Sequence, residues 1–390
     1  MKSLNYKKIC VVTGSRADYG LLKSLILKIK KNSNLKLQLV VTGSHLSKEY
    51  GYTISEIYED GFKVNEIIKI VRHVSNPINL IKSSSKALNG YAKCFKRLKP
   101  DLILILGDRY EIFCAAYTAV VFGIPIAHLH GGEVTENSYD ESFRHSISKL
   151  SQIHFSSTET YRKRIIQLGE SPKNVHNIGT VGLEDIKNFA FISKKNIENK
   201  LKFKFNKKSL LITLHPETLR REKIKENCKI VLSTLKKLKN TTLIFTMPNN
   251  DVQSNQITKQ IKIFCNKNKN AFFFKSLGRK LYLSCAKNVD AVLGNSSSGV
   301  IEVPSLNKPS INIGKRQYGR VQSKSIISCD FNKFQILRSI QKVYSNKFSS
   351  KLKKLKNPYY KKNSAQNIIN VIKSTKLNKI LIKKFYDIKF

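Results

Sequence analysis

A chain of 390 residues is too long for one ordinary hydrophobic core, which makes two domains the expectation. Its 41% hydrophobic and 25% charged residues exclude a disordered or fibrous chain. A net charge of +45 would suit a nucleic-acid binder, but Lys far outnumbers Arg and is spread over nearly every segment. Phosphate and base recognition leans on Arg, so the excess reads as a Lys-rich surface, and nucleic acid is not an expected partner.

Strand and helix signals alternate along the chain. Behind a short basic lead, Ile9–Val12 reads as a strand, without the h-region and cleavage site of a signal peptide. A helix from Asp18 to about Lys31 and a strand over Leu35–Val41 follow. A long helix from Asn76 to about Leu98 precedes the run Asp101-Leu-Ile-Leu-Ile-Leu106, a strand buried on both faces. Another apolar stretch spans Gly123–Ala127, and Asp140–His145 opens a helix. Ile153–Ser157 is a strand, and Thr158 to about Leu168 a helix with Ser/Thr caps. The pattern turns polar and Lys-rich near 174–201.

A second series then begins with Leu210–His215. It continues through a helix near 223–238, the strand Thr242–Thr246, a helix near 252–266 and the strand Ala271–Phe274. A short helix near Leu281 and the segments Val289–Leu293 and Ser310–Ile313 complete it. Repeated βα units mean parallel sheets covered by helices. Two series predict an α/β chain of two Rossmann-like domains, at 1–175 and 176–363. A C-terminal helical region at about 364–390, with its helix at Ser364–Ser374, rejoins the first. The seven Cys (10, 94, 114, 228, 265, 285, 329) show no CxxC spacing and read as reduced core thiols of a cytoplasmic protein. No apolar stretch approaches the roughly 20 residues a bilayer span needs, so no membrane partner is expected.

Polar clusters sit at the carboxyl ends of these strands, where open α/β sheets bind ligands. Gly107-Asp-Arg-Tyr-Glu111, His128-Leu-His-Gly-Gly-Glu133 and Asp140-Glu-Ser-Phe-Arg-His145 gather carboxylates, imidazoles and arginines that are costly to desolvate unless used or paired. Thr13-Gly-Ser-Arg-Ala-Asp-Tyr-Gly20 turns into a helix start that suits an anion, with Arg16 adding charge. It lacks the GxGxxG glycines of a dinucleotide site, so no NAD-type cofactor is expected. Gly294-Asn-Ser-Ser-Ser-Gly299-Val-Ile-Glu302 follows a strand and opens a helix. Its small residues let backbone N–H groups and hydroxyls approach a diphosphate, with Glu302 about two turns on to accept from ribose.

Together with Ser142-Phe-Arg-His145, His215-Pro-Glu-Thr218 and Gly314-Lys-Arg-Gln-Tyr-Gly-Arg320, these motifs resemble the hydrolysing UDP-N-acetylglucosamine 2-epimerase family over almost the whole length. The likeness is to its sialic-acid and legionaminic-acid branch. The resemblance implies a glycosyltransferase-B-like fold with the active site in the inter-domain cleft. It implies UDP-sugar binding, release of UDP and the 2-epimer through a glycal, no cofactor or metal, and a homodimer. It also implies catalytic roles for Asp108, Glu133, His130, Asp140 and His215. Substrate contacts fall to Arg16, Arg109, Arg144, His145, Asn249, Ser296, Ser297, Ser298, Gly299, Glu302 and Arg320.

Many members carry Glu where this chain has His130, which leaves the base open among Asp108, His130 and Glu133. Asp108 and Glu133 are the expected acid/base carboxylates, with mutual proximity raising a pKa toward neutrality. Competing readings are kept beside these. His128 reads as a core histidine, with His145 serving only its helix and Asp108 capping the next one as the competing readings of those two. Tyr19 and Glu111 read as structural and Ser83–Ser85 as surface. A glycosyltransferase of the same fold is the alternative enzyme. A metal hydrolase using His128, His130 and Glu133 is a further one.

Overall fold

The computed structural model describes residues 6–70, 76–219, 221–352 and 355–389; the start of the basic lead, residues 1–5, lies outside them. The first sheet holds β1 (Lys7–Thr13), β2 (Leu35–Thr42), β3 (Glu66–Ile68), β4 (Leu102–Leu106), β5 (Ile126–Leu129), β6 (Ile153–Ser156) and β7 (Val175–Asn177). They are all parallel, in the order β3-β2-β1-β4-β5-β6-β7. The second holds β8 (Lys208–Thr213), β9 (Thr241–Thr246), β10 (Ala271–Phe274), β11 (Ala291–Gly294), β12 (Ser310–Ile313) and β13 (Ile326–Cys329). It too is parallel, in the order β10-β9-β8-β11-β12-β13.

Helices cover both faces of each sheet, so central strands are apolar without alternation; all five residues of β4 are buried. One face of the first sheet packs Leu22, Leu25, Ile26 and Ile29 of the helix Arg16–Lys30 against Val11 and Leu104. The other face packs Tyr91 and Phe95 against Cys10, Ile103 and Ile105. The second sheet has its own pair of apolar clusters, around Ile212 and Phe245 and around Leu211 and Val292. Five of the seven free cysteines are buried. No helix among the described residues is long and apolar enough to cross a membrane.

The chain returns to its start. The helix Ser364–Ser374 buries Ile368, Ile369 and Ile372 in the first sheet's core. Lys7 Nζ donates to the carbonyls of Ile372, Lys373 and Thr375 at 2.9, 2.8 and 2.7 Å, a cation set against a helix carboxyl end. The helix stops at Ser374, and only a short turn, Leu377–Lys379, follows in the described tail.

Several local expectations differ. Ser83 is not on the surface: it is fully buried and bonds the Tyr110 hydroxyl at 3.0 Å. The helix near Leu281 runs from Gly278 to Asn288, and the polar stretch 174–201 holds β7 and the helix Lys194–Leu201. The helix opened by the Gly/Ser loop is one turn, Ser298–Ile301, before a tighter turn Val303–Leu306 that contains Pro304. Glu302 therefore ends that turn rather than lying two turns along a helix.

In each sheet the order reverses direction between two adjacent strands, β1 and β4 in the first, β8 and β11 in the second. Ligands bind outside the carboxyl ends at such points. Gly294, at the end of β11, is the tightest joint there: its φ is +137° and a Cβ would lie 1.9 Å from the Thr213 carbonyl oxygen of β8. Gly294→Ala is expected to lower unfolding free energy in urea by roughly 2–4 kcal/mol. Gly61→Ala, at φ +75° with open space around it, should cost only about 1 kcal/mol.

Candidate active site

Both reversal points open on one cleft, lined from the first sheet's side by Arg16, Asp108, Arg109, His130, Glu133, Asp140 and Arg144. From the second come His215, Asn249, Ser296, Ser297, Ser298, Glu302, Arg316 and Arg320. The two sides touch directly. Arg16 Nη1 donates to Ser276 Oγ at 2.5 Å, Arg320 Nε to the Val134 carbonyl at 2.6 Å, and Leu219 N–H to the Asn137 carbonyl at 2.9 Å.

Asp108 follows Gly107, whose left-handed φ of +86° turns the chain off β4. It does not cap the next helix, whose N-cap residue is Arg109. Its carboxylate instead pairs with Arg144 Nη2 and accepts from Thr135 Oγ1 at 3.4 Å. Arg144 lies one turn into the helix Asp140–Leu150, is 2% exposed, and also donates to Thr135 Oγ1 at 2.7 Å.

Glu133 is enclosed by donors. Its Oε1 accepts from Ser157 Oγ at 2.6 Å and lies 3.1 Å from His130 Nδ1; its Oε2 lies 3.1 Å from Arg320 Nη1. Burial by itself would raise its pKa, but His130 and Arg320 outweigh that and hold it down to about 2. The expectation of a raised pKa at Glu133 is thus overturned, because its neighbours are an arginine, an imidazole and a hydroxyl rather than carboxylates. Asp140 is the raised group, at about 6. Burial comes first and Asp251 second, with Arg109, Arg316 and the Ser138 hydroxyl pulling the other way.

His215 is pinned at the end of β8. Its backbone N–H donates to Asn295 Oδ1 at 2.6 Å, and Asn295 Nδ2 donates to its carbonyl at 2.9 Å. Burial, reinforced by Arg316, lowers its pKa to about 3, so the ring is neutral. Its Nδ1 accepts from the Asn249 N–H at 3.3 Å, which assigns the remaining hydrogen to Nε2. Arg316 donates to the Asn295 carbonyl at 3.3 Å and faces the same cleft as the serine loop.

Two expected contacts are elsewhere. Gly299 is not on the cleft wall; a Cβ there would lie 2.6 Å from Ser310 Oγ, so its smallness serves packing against β12. His145 is also off the wall and pairs with Glu141 one turn back at 3.2 Å. Arg109 lines the cleft but is engaged by Glu111 at 2.7 Å and, across the cleft, by Asp251 at 3.0 Å. His128 is buried, with Nε2 on the Gly107 carbonyl at 2.8 Å and Nδ1 on Ser148 at 3.3 Å, so it does not converge with His130 and Glu133 as a metal triad would need. Sequence reasoning missed Arg279, Tyr282 and Arg316, which also line the cleft, and Asp251, which meets Arg109. Only Arg316 carried a signal, its place inside Gly314–Arg320.

The profile of the family described as UDP-N-acetylglucosamine 2-epimerase matches residues 27–373. The GDP/UDP-N,N'-diacetylbacillosamine 2-epimerase (hydrolyzing) of Campylobacter jejuni is 41% identical over 99% of this chain and 100% of its own. Polysialic acid biosynthesis protein P7 of Escherichia coli is 39% identical, over 98% of each chain. Among solved structures, S. aureus MnaA with UDP superposes with a TM-score of 0.80 at 20% identity, covering 98% of this chain and all of that one. The Neisseria meningitidis UDP-GlcNAc 2-epimerase bound to UDP-GlcNAc gives 0.79 at 20% identity, covering 94% and 100%. Two facing parallel-sheet halves, one cleft between them and near-complete coverage by these relatives lead to one conclusion: the chain belongs to the UDP-N-acetylglucosamine 2-epimerase family.

Proposed function

We propose that this chain is a hydrolysing UDP-sugar 2-epimerase, releasing UDP and the free manno-configured 2-epimer of its sugar. The observation that carries this reading is the division of the cleft. The first wall supplies the acid/base groups with Arg16 beside them, and the second supplies Arg316, the hydroxyls of Ser296–Ser298 and the neutral His215. In the reaction the C1–O bond to UDP breaks, the C2 proton leaves and a glycal forms. Water then adds across the double bond with a proton arriving on the opposite face of C2. Inversion needs acid/base groups on both faces, and a diphosphate leaving group needs positive charge.

Arg16, Arg316 and the loop Ser296–Ser298 suit the diphosphate, with His215 Nε2–H as a further donor to it and Glu302 suited to ribose hydroxyls. Asp140 is suited to deliver the returning proton, since its carboxyl holds one at only mildly acidic pH. A glycosyltransferase of the same fold is disfavoured by the relatives' names, since that of the Campylobacter jejuni protein specifies a hydrolysing 2-epimerase. Those names also support UDP-2,4-diacetamido-2,4,6-trideoxyglucose as substrate for a legionaminic-type sugar, while the polysialic-acid relative supports UDP-N-acetylglucosamine and sialic acid. We further infer units of 1–175 with 364–390 and of 176–363, a cytoplasmic location in keeping with the free thiols, and a homodimer. The exposed Ile78, Ile81, Tyr117 and Val121 on two packed helices offer the homodimer an apolar surface.

Turnover in deuterated water with each UDP-sugar tests the reading. One of them should be consumed, with UDP released and deuterium at C2 of the epimer; product that keeps the substrate's C2 proton would exclude elimination. Asp140 supplies a second test. Its carboxyl binds a proton more tightly folded than unfolded, so that contribution to stability is present at acidic pH and is lost as pH rises through about 6. Asp140→Asn should therefore raise neutral-pH stability by up to about 3 kcal/mol, a gain that fades toward about pH 4 in urea titrations. Turnover should fall by about 10² or more in the same variant.

A further inference from the structure

We propose that His130 is the residue that takes the C2 proton and that Glu133 is a positioning residue, the pair being completed across the cleft by Arg320. This deepens the epimerase reading above and rests on it. Glu133 has no room for a substrate proton: Ser157 and His130 occupy Oε1, Arg320 faces Oε2, and the side chain is 2% exposed. His130 is placed differently. Its Nδ1 lies 3.1 Å from Glu133 Oε1, and a neutral ring that donates there keeps a lone pair on Nε2. That Nε2 is buried, lacks a hydrogen-bond partner among the described residues and belongs to a side chain lining the cleft. A buried polar atom without a partner is costly unless a ligand supplies one.

The backbone points the same way. His130 has a φ of +65°, left-handed and unfavourable for a residue with a Cβ. The conformation is held by the bond from its N–H to the Phe155 carbonyl at 3.0 Å. It is followed at once by Gly131 and Gly132; a Cβ on Gly132 would lie 2.5 Å from the Tyr161 carbonyl oxygen. Strain kept in place by packing is what a side chain aimed for use requires. The rival bases are otherwise engaged, since Asp108 is paired with Arg144 and Asp140 is suited to carry the returning proton.

The step balances. Nε2 takes the C2 proton, the C2–H electron pair becomes the C1=C2 π bond, and the C1–O pair leaves with the diphosphate. The imidazolium formed is neutralised by Glu133, whose own charge Arg320 holds in place from the far side of the cleft. Charged and titratable groups around His130 are Glu133 on its own loop, Arg320 opposite and His128 on β5, with Asp108 and Arg144 on the same wall.

The test compares wild type, His130→Asn, His130→Gln, Glu133→Gln and Glu133→Asp. It reads kcat, KM, UDP affinity, thermal unfolding and the pH dependence of kcat. Both His130 variants should lose about 10²–10⁴ in kcat with KM and UDP affinity little changed, and should lose the acidic limb of the profile. Glu133→Gln should lower kcat less and move that limb to lower pH, because the imidazolium loses its counter-charge; Glu133→Asp should restore part of both. Nitrogen NMR of wild-type histidines needs no variant to be active, and should show a ring protonated on Nδ1 and bare on Nε2 that responds to UDP-sugar.

His130 variants keeping a tenth or more of wild-type kcat with the limb intact would overturn the assignment. So would loss of the limb in Glu133→Gln alone, or no histidine of that tautomer. Wild type that places no solvent deuterium at C2 would instead remove the epimerase reading itself.

Discussion

The cleft is built from charges that neither side could bury by itself. Arg109 leaves the first sheet and meets Asp251 from the second; Arg320 leaves the second and meets Glu133 from the first. Removing an ionised group from water costs several kcal/mol unless a partner is in place. Each side therefore supplies the counter-charges that make the other's active groups tolerable. Juxtaposition of the two sheets and assembly of the reacting constellation are one event, and the ionisation states in the site are properties of the pair.

That constraint separates three carboxylates that a sequence presents as equals. Glu133, facing an arginine, an imidazole and a hydroxyl, stays ionised. Asp140, buried and near Asp251, is pushed toward the neutral acid. Asp108 is bound to a nearly inaccessible arginine on the helix that Asp140 begins. One chemical group can thus be held ionised, pushed toward its neutral form or tied to an arginine according to which neighbours face it. The buried Asp140 carboxyl also weakens the fold near neutrality, a stability–function conflict of the kind active sites often contain.

Much of the architecture was legible because central parallel strands are apolar at every position. Leu102–Leu106, Leu210–Ile212 and Ala291–Leu293 stand out for that reason. The edge strands Glu66–Ile68 and Val175–Asn177 were not, being three residues long with no periodicity to detect. Ser83 was misplaced because a buried hydroxyl bonded to Tyr110 looks, in a row of three serines, like a polar surface. Among the site residues, those in Gly107–Glu111, His128–Glu133 and Ser296–Ser298 were legible as clusters at strand ends. Gly299 and His145 lay in the neighbouring motifs Gly294–Glu302 and Asp140–His145 but face β12 and Glu141.

From the chain alone came the alternation of strands and helices, the strand ends where ligands gather, and the family likeness in ordered motifs, since hydrophobic period and local turns are short-range properties. Which charges face one another was decided only in three dimensions. Asp251 meets Arg109 across 142 positions, and Glu133 meets Arg320 from the opposite sheet. Desolvation and Coulomb interactions depend on distance through space, and a linear order of residues does not carry that distance.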